Sequence, residues 1–251
     1  MMTASLVIRS AARTRMGRGH SRNEDAVLDR GAIGLWAVAD GMGGHEMGDW
    51  ASARVVATLS EVGPPSGARQ FLDDVRTAIH RADEDMRDAA AAAGPRTVIG
   101  CTVVTLLVFD HHYMCLWAGD SRLYRLRGGR LRQVNHDHSR VQEMVDANLL
   151  SAEEALSHPD SNFITRAVGA SPLELALVRG ILEPGDVMLL CSDGLNKTMD
   201  DDQIAHCLEG RSPEAAAEVL VSLAQKRGGR DDVTVVVVEF HNASDRALFL
   251  S

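Results

Sequence analysis

The sequence predicts an α+β layered sandwich, and three observations lead there. Two long helical stripes fall early, between residues 47 and 92. Continuous apolar runs of strand length then occupy 101–118 and return from 177 onward. Turn dipeptides, not helices, join neighbouring strands, so the order is strands, helices, strands and not the alternation of a βαβ fold.

Taken in order, Leu6-Val7-Ile8 reads as an opening strand, followed by the polar segment Gly17 to Asp25. The apolar run Ile33 to Ala39 is a strand that delivers the chain to Asp40. Gly41-Met42-Gly43-Gly44-His45 follows, with three glycines in four positions that let the backbone turn and expose its amides and carbonyls. Ala51, Val55, Leu59 and Val62 recur at helical spacing, so 47–62 is an amphipathic helix that Pro64-Pro65 stops. A second helix spans about 67–92. Phe71, Val75, Ile79 (or Ala78), Ala82, Met86 and Ala89 make its apolar stripe, and Asp73, Asp74, Arg76, Asp83, Glu84 and Arg87 lie off it.

Cys101 to Phe109 and Tyr113 to Ala118 are then strands of a hairpin, with Asp110-His111-His112 as turn residues. Leu123 to Val134 is another hairpin, turning on Gly128-Gly129. Residues 137–170 are helical but polar and read as a surface subdomain. Strands resume at Leu177 to Leu182 and Val187 to Cys191 around a Pro184-Gly185 turn. A helix at 213–227 and the strand Val233 to Phe240 complete the pattern, read as a single domain over 1–251.

Composition narrows the function. Hydrophobic residues at 45% and charged residues at 24% describe an ordinary globular protein. A formal charge of −9 excludes a general nucleic-acid binder, since nothing offsets phosphate repulsion. The four cysteines lack CxxC spacing and three sit in apolar runs, the pattern of buried reduced thiols. No apolar run approaches the roughly 20 residues of a membrane span, and the N-terminus has no secretory leader, so the expected location is cytoplasmic.

Five acidic positions stand at the ends of predicted strands: Glu24-Asp25, Asp40, Asp120, Asp193 and Asp231 with Asp232. Singly, Asp-Gly and Gly-Asp-Ser are common turn sequences. Together at one sheet edge, so many carboxylates repel unless cations compensate them. Oxygen donors without Cys or His favour magnesium or manganese over zinc. Two such ions can share a water, lower its pKa and direct it at phosphorus.

Seven stretches carry a resemblance that no single one of them would. They are Asn23-Glu24-Asp25-Ala26, Val38 to Gly44, Gly100-Cys101-Thr102, Gly119-Asp120-Ser121-Arg122, Asp137-His138-Ser139, Cys191 to Leu195 and Arg230 to Thr234. In this order, over about residues 5–240, the chain resembles the metal-dependent PPM (PP2C-like) serine/threonine protein phosphatases of compact bacterial type. The resemblance implies a central antiparallel β-sandwich flanked by helix pairs, with 137–170 as a flap. It implies that Asp40 bridges two manganese or magnesium ions with the Gly41 carbonyl on one, that Asp193 and Asp231 complete the other, and that Glu24 and Asp25 act directly or through water. Asp120 with Asp193 would match a possible third ion.

The family's phosphate-binding Arg, four residues before Glu24, is replaced by His20, with Arg18 and Arg22 beside it as the expected clamp. Asp232 stands where Asn is common and adds charge beside the metals. Met42 stands where many relatives place a His considered a general acid, and His45 is a neighbouring histidine more in keeping with a local hydrogen bond.

The implied reaction is hydrolysis of phosphoserine or phosphothreonine by a metal-activated hydroxide, opposing a bacterial Ser/Thr kinase, in a monomer. Two other readings stand beside it: a catalytically impaired phosphoprotein-binding regulatory module, and a hydrolase of small phosphate esters.

Overall fold

In the computed structural model, which describes residues 6–42, 47–170 and 172–242, eleven strands form two antiparallel sheets. The first sheet takes β1 (Leu6–Arg15), β11 (Val233–Asn242), β10 (Val187–Cys191), β7 (Arg122–Arg127) and β8 (Arg130–Gln133), in that order. The second takes β2 (Asp25–Arg30), β3 (Leu35–Met42), β5 (Val103–Phe109), β6 (His112–Ala118) and β9 (Ala176–Ile181), with β4 (Gly100–Cys101) pairing the end of β3. Seven helices are described: α1 (Gly48–Ser60), α2 (Ala68–Ala93), α3 (Arg140–Asp146), α4 (Ala152–Leu156), α5 (Asp193–Asn196), α6 (Asp201–Leu208) and α7 (Pro213–Lys226).

Why the strands read as unbroken apolar runs follows from their two buried faces. On β3, Trp36 and Val38 point between the sheets, where they meet Val104, Leu190, Val236 and Phe240. Leu35, Ala37 and Ala39 point the other way, into a layer with Val55 and Leu59 of α1 and Phe71, Val75 and Ile79 of α2. On the far sheet, Val233, Val235 and Val237 pack under α6 and α7 through Ile204, Ala216 and Leu220. The layering is therefore helix, sheet, sheet, helix. The predicted α+β layered sandwich and the helix-flanked antiparallel sheets are both present.

Most predicted elements appear within a few residues, and the differences are informative. The strand expected at Ile33 begins at Leu35, because Gly31–Ile33 forms a short 3-10 turn. It then runs on through Asp40 to Met42, so Asp40 and Gly41 lie inside a strand and not in a turn after it. Gly43, Gly44 and His45 lie outside the described residues. His112 opens β6 opposite Phe109 and is no turn residue. The hairpin on Gly128-Gly129 forms, both glycines having positive φ. β2, β4, α5 and α6 had no counterpart in the predicted pattern.

Asp83 is a correction of a different kind. Placed off the apolar stripe of α2, it is nevertheless buried, because its carboxylate accepts the Gly169 amide at 2.8 Å and pairs with Arg87 at 2.9 Å. Segment 137–170 holds only the short α3 and α4. It is tied down by the Ser139–Ile164 and Cys101–Val168 bridges and by the Arg140–Asp160 ion pair at 3.3 Å. All four cysteines are free and buried.

Candidate metal centre

The two sheets bring five aspartates to one end of the sandwich. Asp25, first residue of β2, is the direct cross-strand partner of Asp40 on β3. Asp120 lies between β6 and β7, Asp193 opens α5 immediately after β10, and Asp231 precedes β11. Asp25, Asp120 and Asp193 are buried, Asp40 keeps part of its surface open, and Asp231 is 47% exposed at the rim.

Two hydroxyls hold the backbone of this cluster in place. Thr102 Oγ1 accepts the Asp40 amide at 3.1 Å and bonds the Ser121 hydroxyl at 2.8 Å, while its own amide donates to the Asp40 carbonyl at 2.8 Å. The same residue fills the space beside Gly119, where a β-carbon would come within 2.6 Å of Thr102 Cβ and where φ is +110°. Only glycine suits that turn, so Thr102 couples the Asp40 strand to the Asp120 loop. Ser192 is the counterpart. Its hydroxyl donates to Asp25 Oδ2 at 2.7 Å and accepts the Thr234 amide at 3.0 Å, joining β2 to the other sheet.

Gly41 is required by close approach. A β-carbon there would sit 1.9 Å from the Gly48 carbonyl oxygen, at the start of α1. The Gly41 amide donates to the Glu24 carbonyl at 3.0 Å, and the Glu24 carboxylate lies against Gly48. Glu24 is thereby carried to the same end of the fold as the aspartates, near the start of a helix whose dipole favours negative charge.

The electrostatics are those of crowded acids in a dry place. Burial, then the charges of Asp25, Asp193, Asp120 and Asp231, hold Asp40 well above the usual carboxylate range. Burial pushes Asp25 up to about 7 against the hydrogen bonds from Thr234 and Ser192. Asp120 rises to about 7 through burial and the Asp193 charge. Burial and Asp231 raise Asp193 against the opposing Lys197, and burial with Asp232 and Asp49 raises Glu24. Such a cluster calls for cations.

The donors fit hard divalent ions. They are all oxygen, and Asp193 Oδ1 is buried without a hydrogen-bond partner. Among the described residues no three of these side chains close around a single point.

Asp232 adds its charge next to Glu24 and Asp25, raising both, and it has a structural task as well. It is buried, and both oxygens are occupied: Oδ1 accepts the Gly17 amide at 2.7 Å and Oδ2 the Glu24 amide at 2.7 Å. It fastens the 17–24 segment to the start of β11. The expected phosphate clamp is also partly engaged, His20 with Asp232 at 3.2 Å and Arg22 with Asp49 at 3.2 Å. The Arg18 amide bonds the Gly229 carbonyl at 3.3 Å.

Lys197 was missed by sequence reasoning, and it sits inside the cluster. Its Nζ pairs with Asp193 Oδ2 and lies 3.8 Å from Asp231 Oδ2. A hollow of about 330 Å³ opens beside it, lined by His20, Asn162, Lys197, Arg230 and Asp231. A larger cleft of about 820 Å³ leads from Asp120 and Asp193 past Val141, Val145 and Leu156 of α3 and α4. Arg122 on its wall is fixed by a bidentate pair with Asp137 (2.7–3.0 Å) and a bond to the Tyr124 hydroxyl at 2.8 Å.

Comparison with known proteins places this arrangement in a family. Residues 15–229 match the model of the family described as protein phosphatase 2C. The serine/threonine protein phosphatase PstP of Mycobacterium tuberculosis is 34% identical over 239 residues, 95% of this chain but 46% of that protein. The chain thus spans about half the length of that relative. PppA, described as a key regulatory component of the T6SS in Pseudomonas aeruginosa, superposes with a TM-score of 0.86 at 42% identity, covering 93% of this chain and 97% of PppA. The PstP catalytic domain in complex with two manganese ions superposes with a TM-score of 0.84 at 34% identity, covering 95% of this chain and all of that domain.

Proposed function

This chain belongs to the protein phosphatase 2C family, and from that membership we propose that it hydrolyses phosphoserine and phosphothreonine in proteins with the help of manganese or magnesium. The observation that carries the reading is the cross-strand pair Asp25–Asp40 gathered with Asp120, Asp193 and Asp231 at one end of the sandwich.

Asp40, Asp193 and Asp231 would hold the ions, with the Gly41 carbonyl, Asp25 and Glu24 as direct or water-mediated ligands. When bound, the ions lower the pKa of water and offset the charge of the phosphoryl group. The chain's own groups do the rest. Thr102 and Ser192 fix the directions of Asp40 and Asp25, and the buried surroundings strengthen every charge interaction there. His20, Arg230 and Lys197 line the adjoining hollow and supply donors for phosphate oxygens. The water oxygen bonds to phosphorus as the bond to the serine or threonine oxygen breaks, and that oxygen takes a proton.

Segment 137–170 is the flap over the larger cleft, within one catalytic domain that acts as a monomer. The likeness to PppA and PstP supports a bacterial phosphoprotein as substrate, with a Ser/Thr kinase that modifies the same targets. Buried, reduced cysteines suit the cytoplasm, and among the described residues no helix is long and apolar enough to cross a membrane.

The test is phosphate release from a phosphothreonine peptide with and without manganese. Asp40→Asn lowers kcat by about 100-fold or more, since a lost ligand removes several kcal/mol of charge stabilisation. Equal activity in chelator, or in Asp40→Asn, overturns the reading. A regulatory module would bind the phosphopeptide without turnover, and a small-ester hydrolase would treat unrelated esters equally well.

A further inference from the structure

The chain carries 35 acidic residues against 26 basic ones, yet the β7–β8 hairpin gathers positive charge. Its register sets Arg125 opposite Arg132 and Arg127 opposite Arg130, two like-charge pairs across one ladder. Like charges directly opposite weaken a hairpin unless a counter-charge is near. Arg127 has its own, Asp186 at 2.6 Å and Glu183 at 2.5 Å. Arg125, Arg130 and Arg132 have no ion pair among the described residues. Glu209 stands beside the Gly129 turn and pairs with none of them. Arg130 and Arg132 are exposed, and Arg125 is half-buried.

β8 is also an edge. It is last in the order of its sheet, with β7 on one side and no described strand on the other. Leu131 packs against the core under α6 and α7, so the four arginines share the opposite face. Gln133, next after Arg132, lines the larger cleft that starts at Asp120 and Asp193. A chain laid along β8 therefore leads into that cleft. Charge on an edge strand is an ordinary guard against unwanted pairing. A guard needs no opposed arginines, whose repulsion is an added cost.

We infer that β8 is a docking strand for an extended, acidic segment of the phosphoprotein substrate. A segment paired to its open side adds backbone hydrogen bonds to the ladder. Side chains of that segment alternate, so acids two residues apart fall beside Arg130 and Arg132 and supply the counter-charge the hairpin lacks. The net charge of −9 repels acidic partners elsewhere, so their binding depends on a local basic patch. Nucleic acid meets the same overall repulsion and has no peptide backbone to pair with the strand. The identity of the partner rests on the phosphatase reading; the docking strand adds how the substrate is held away from the reacting residue.

Hydrolysis of a phosphothreonine peptide is compared with that of the same peptide extended by Glu-Thr-Glu-Thr at either end. Two exposed ion pairs should lower KM about 10-fold for one acidic extension, with kcat unchanged, and high salt should erase the gain. Arg130→Glu with Arg132→Glu places acids opposite Arg127 and Arg125, which favours the hairpin. That double variant should prefer a Lys-Thr-Lys-Thr extension and hydrolyse the unextended peptide as wild type does. Equal KM values for all peptides in the wild type overturn the proposal. So does an acidic preference that survives in the double variant, the result for arginines that only guard the edge, or a single-stranded oligonucleotide that competes as well as the acidic peptide. A wild type that hydrolyses none of the peptides overturns the phosphatase reading instead. Fluorescence anisotropy of the labelled, unphosphorylated acidic segment then decides docking by itself: binding lost in the double variant supports it, and no binding to the wild type overturns it.

Discussion

Asp25 and Asp40 face each other directly across the β2–β3 ladder, two carboxylates in a position where like charges destabilise a sheet. Burial raises both, with the Asp25 charge adding to the rise at Asp40 and the charges of Asp232 and Asp193 to that at Asp25.

A pH dependence follows for the metal-free protein. Asp25 and Asp120 are pushed from 3.8 up to about 7, so the folded state holds protons that the unfolded state releases above about pH 4. Their contribution is fully present below pH 4 and is lost as pH rises through 7. The melting temperature in chelator should fall over that window, by the equivalent of a few kcal/mol. Saturating manganese should flatten the fall, and so should Asp25→Asn with Asp120→Asn in chelator. Calorimetric melts from pH 4 to 8 measure it, and a flat profile for the chelated wild type would refute it.

Ser192→Ala removes a hydroxyl that donates to Asp25 Oδ2 and accepts the Thr234 amide. The loss should be about 1–3 kcal/mol for the buried groups left unpaired. Urea denaturation measures the stability, and calorimetry should show weaker manganese binding in the same variant.

Asp232→Ala should cost about 2–3 kcal/mol, because two amides, Gly17 and Glu24, lose a charged acceptor. Asp232→Asn keeps one acceptor oxygen and should cost roughly half as much. His20→Ala, at a half-exposed side chain, should change stability little. Ranking the three by chemical denaturation distinguishes an anchor from a metal ligand: an anchor variant loses stability in chelator, where a ligand variant would gain it.

Gly41→Ala drives a methyl group into the Gly48 carbonyl. The expected cost is about 1–3 kcal/mol or more of overpacking, with β3 and Asp40 displaced. Stability and manganese affinity should fall together. An alanine variant with wild-type affinity would show that the close approach relaxes freely.

Local pattern revealed the elements whose signals are local. Ala51-Val55-Leu59, the Gly128-Gly129 hairpin and the doubly buried run of β5 were legible because periodicity and turn chemistry act over a few residues. The carboxylates were found as strand ends, and the five aspartates do come together. What lay hidden was register. Nothing in the residues around Asp25 says that it stands opposite Asp40, or that Asp232 reaches back to Gly17, because those partners are set by distant strand pairing. Asp83 was hidden for the same reason, its partner being Gly169. Lys197 was legible in part: its spacing from Asp193 is helical, but α5 has only four residues and no stripe to announce it.

The Asp232 anchor also ties the acidic end of the fold to the pairing of distant strands. Gly17 and Asp232 are 215 residues apart, and β1 pairs along its whole length with β11. Contacts of such long range form late, after their loop-closure entropy has been overcome. The 17–24 segment, with Glu24 on it, is also held by the Gly41 amide and by the Arg22–Asp49 pair, and Asp232 adds a hold from the opposite sheet. A disturbance at the start of β11 would thus reach Glu24, an acid that precedes the first strand of the other sheet.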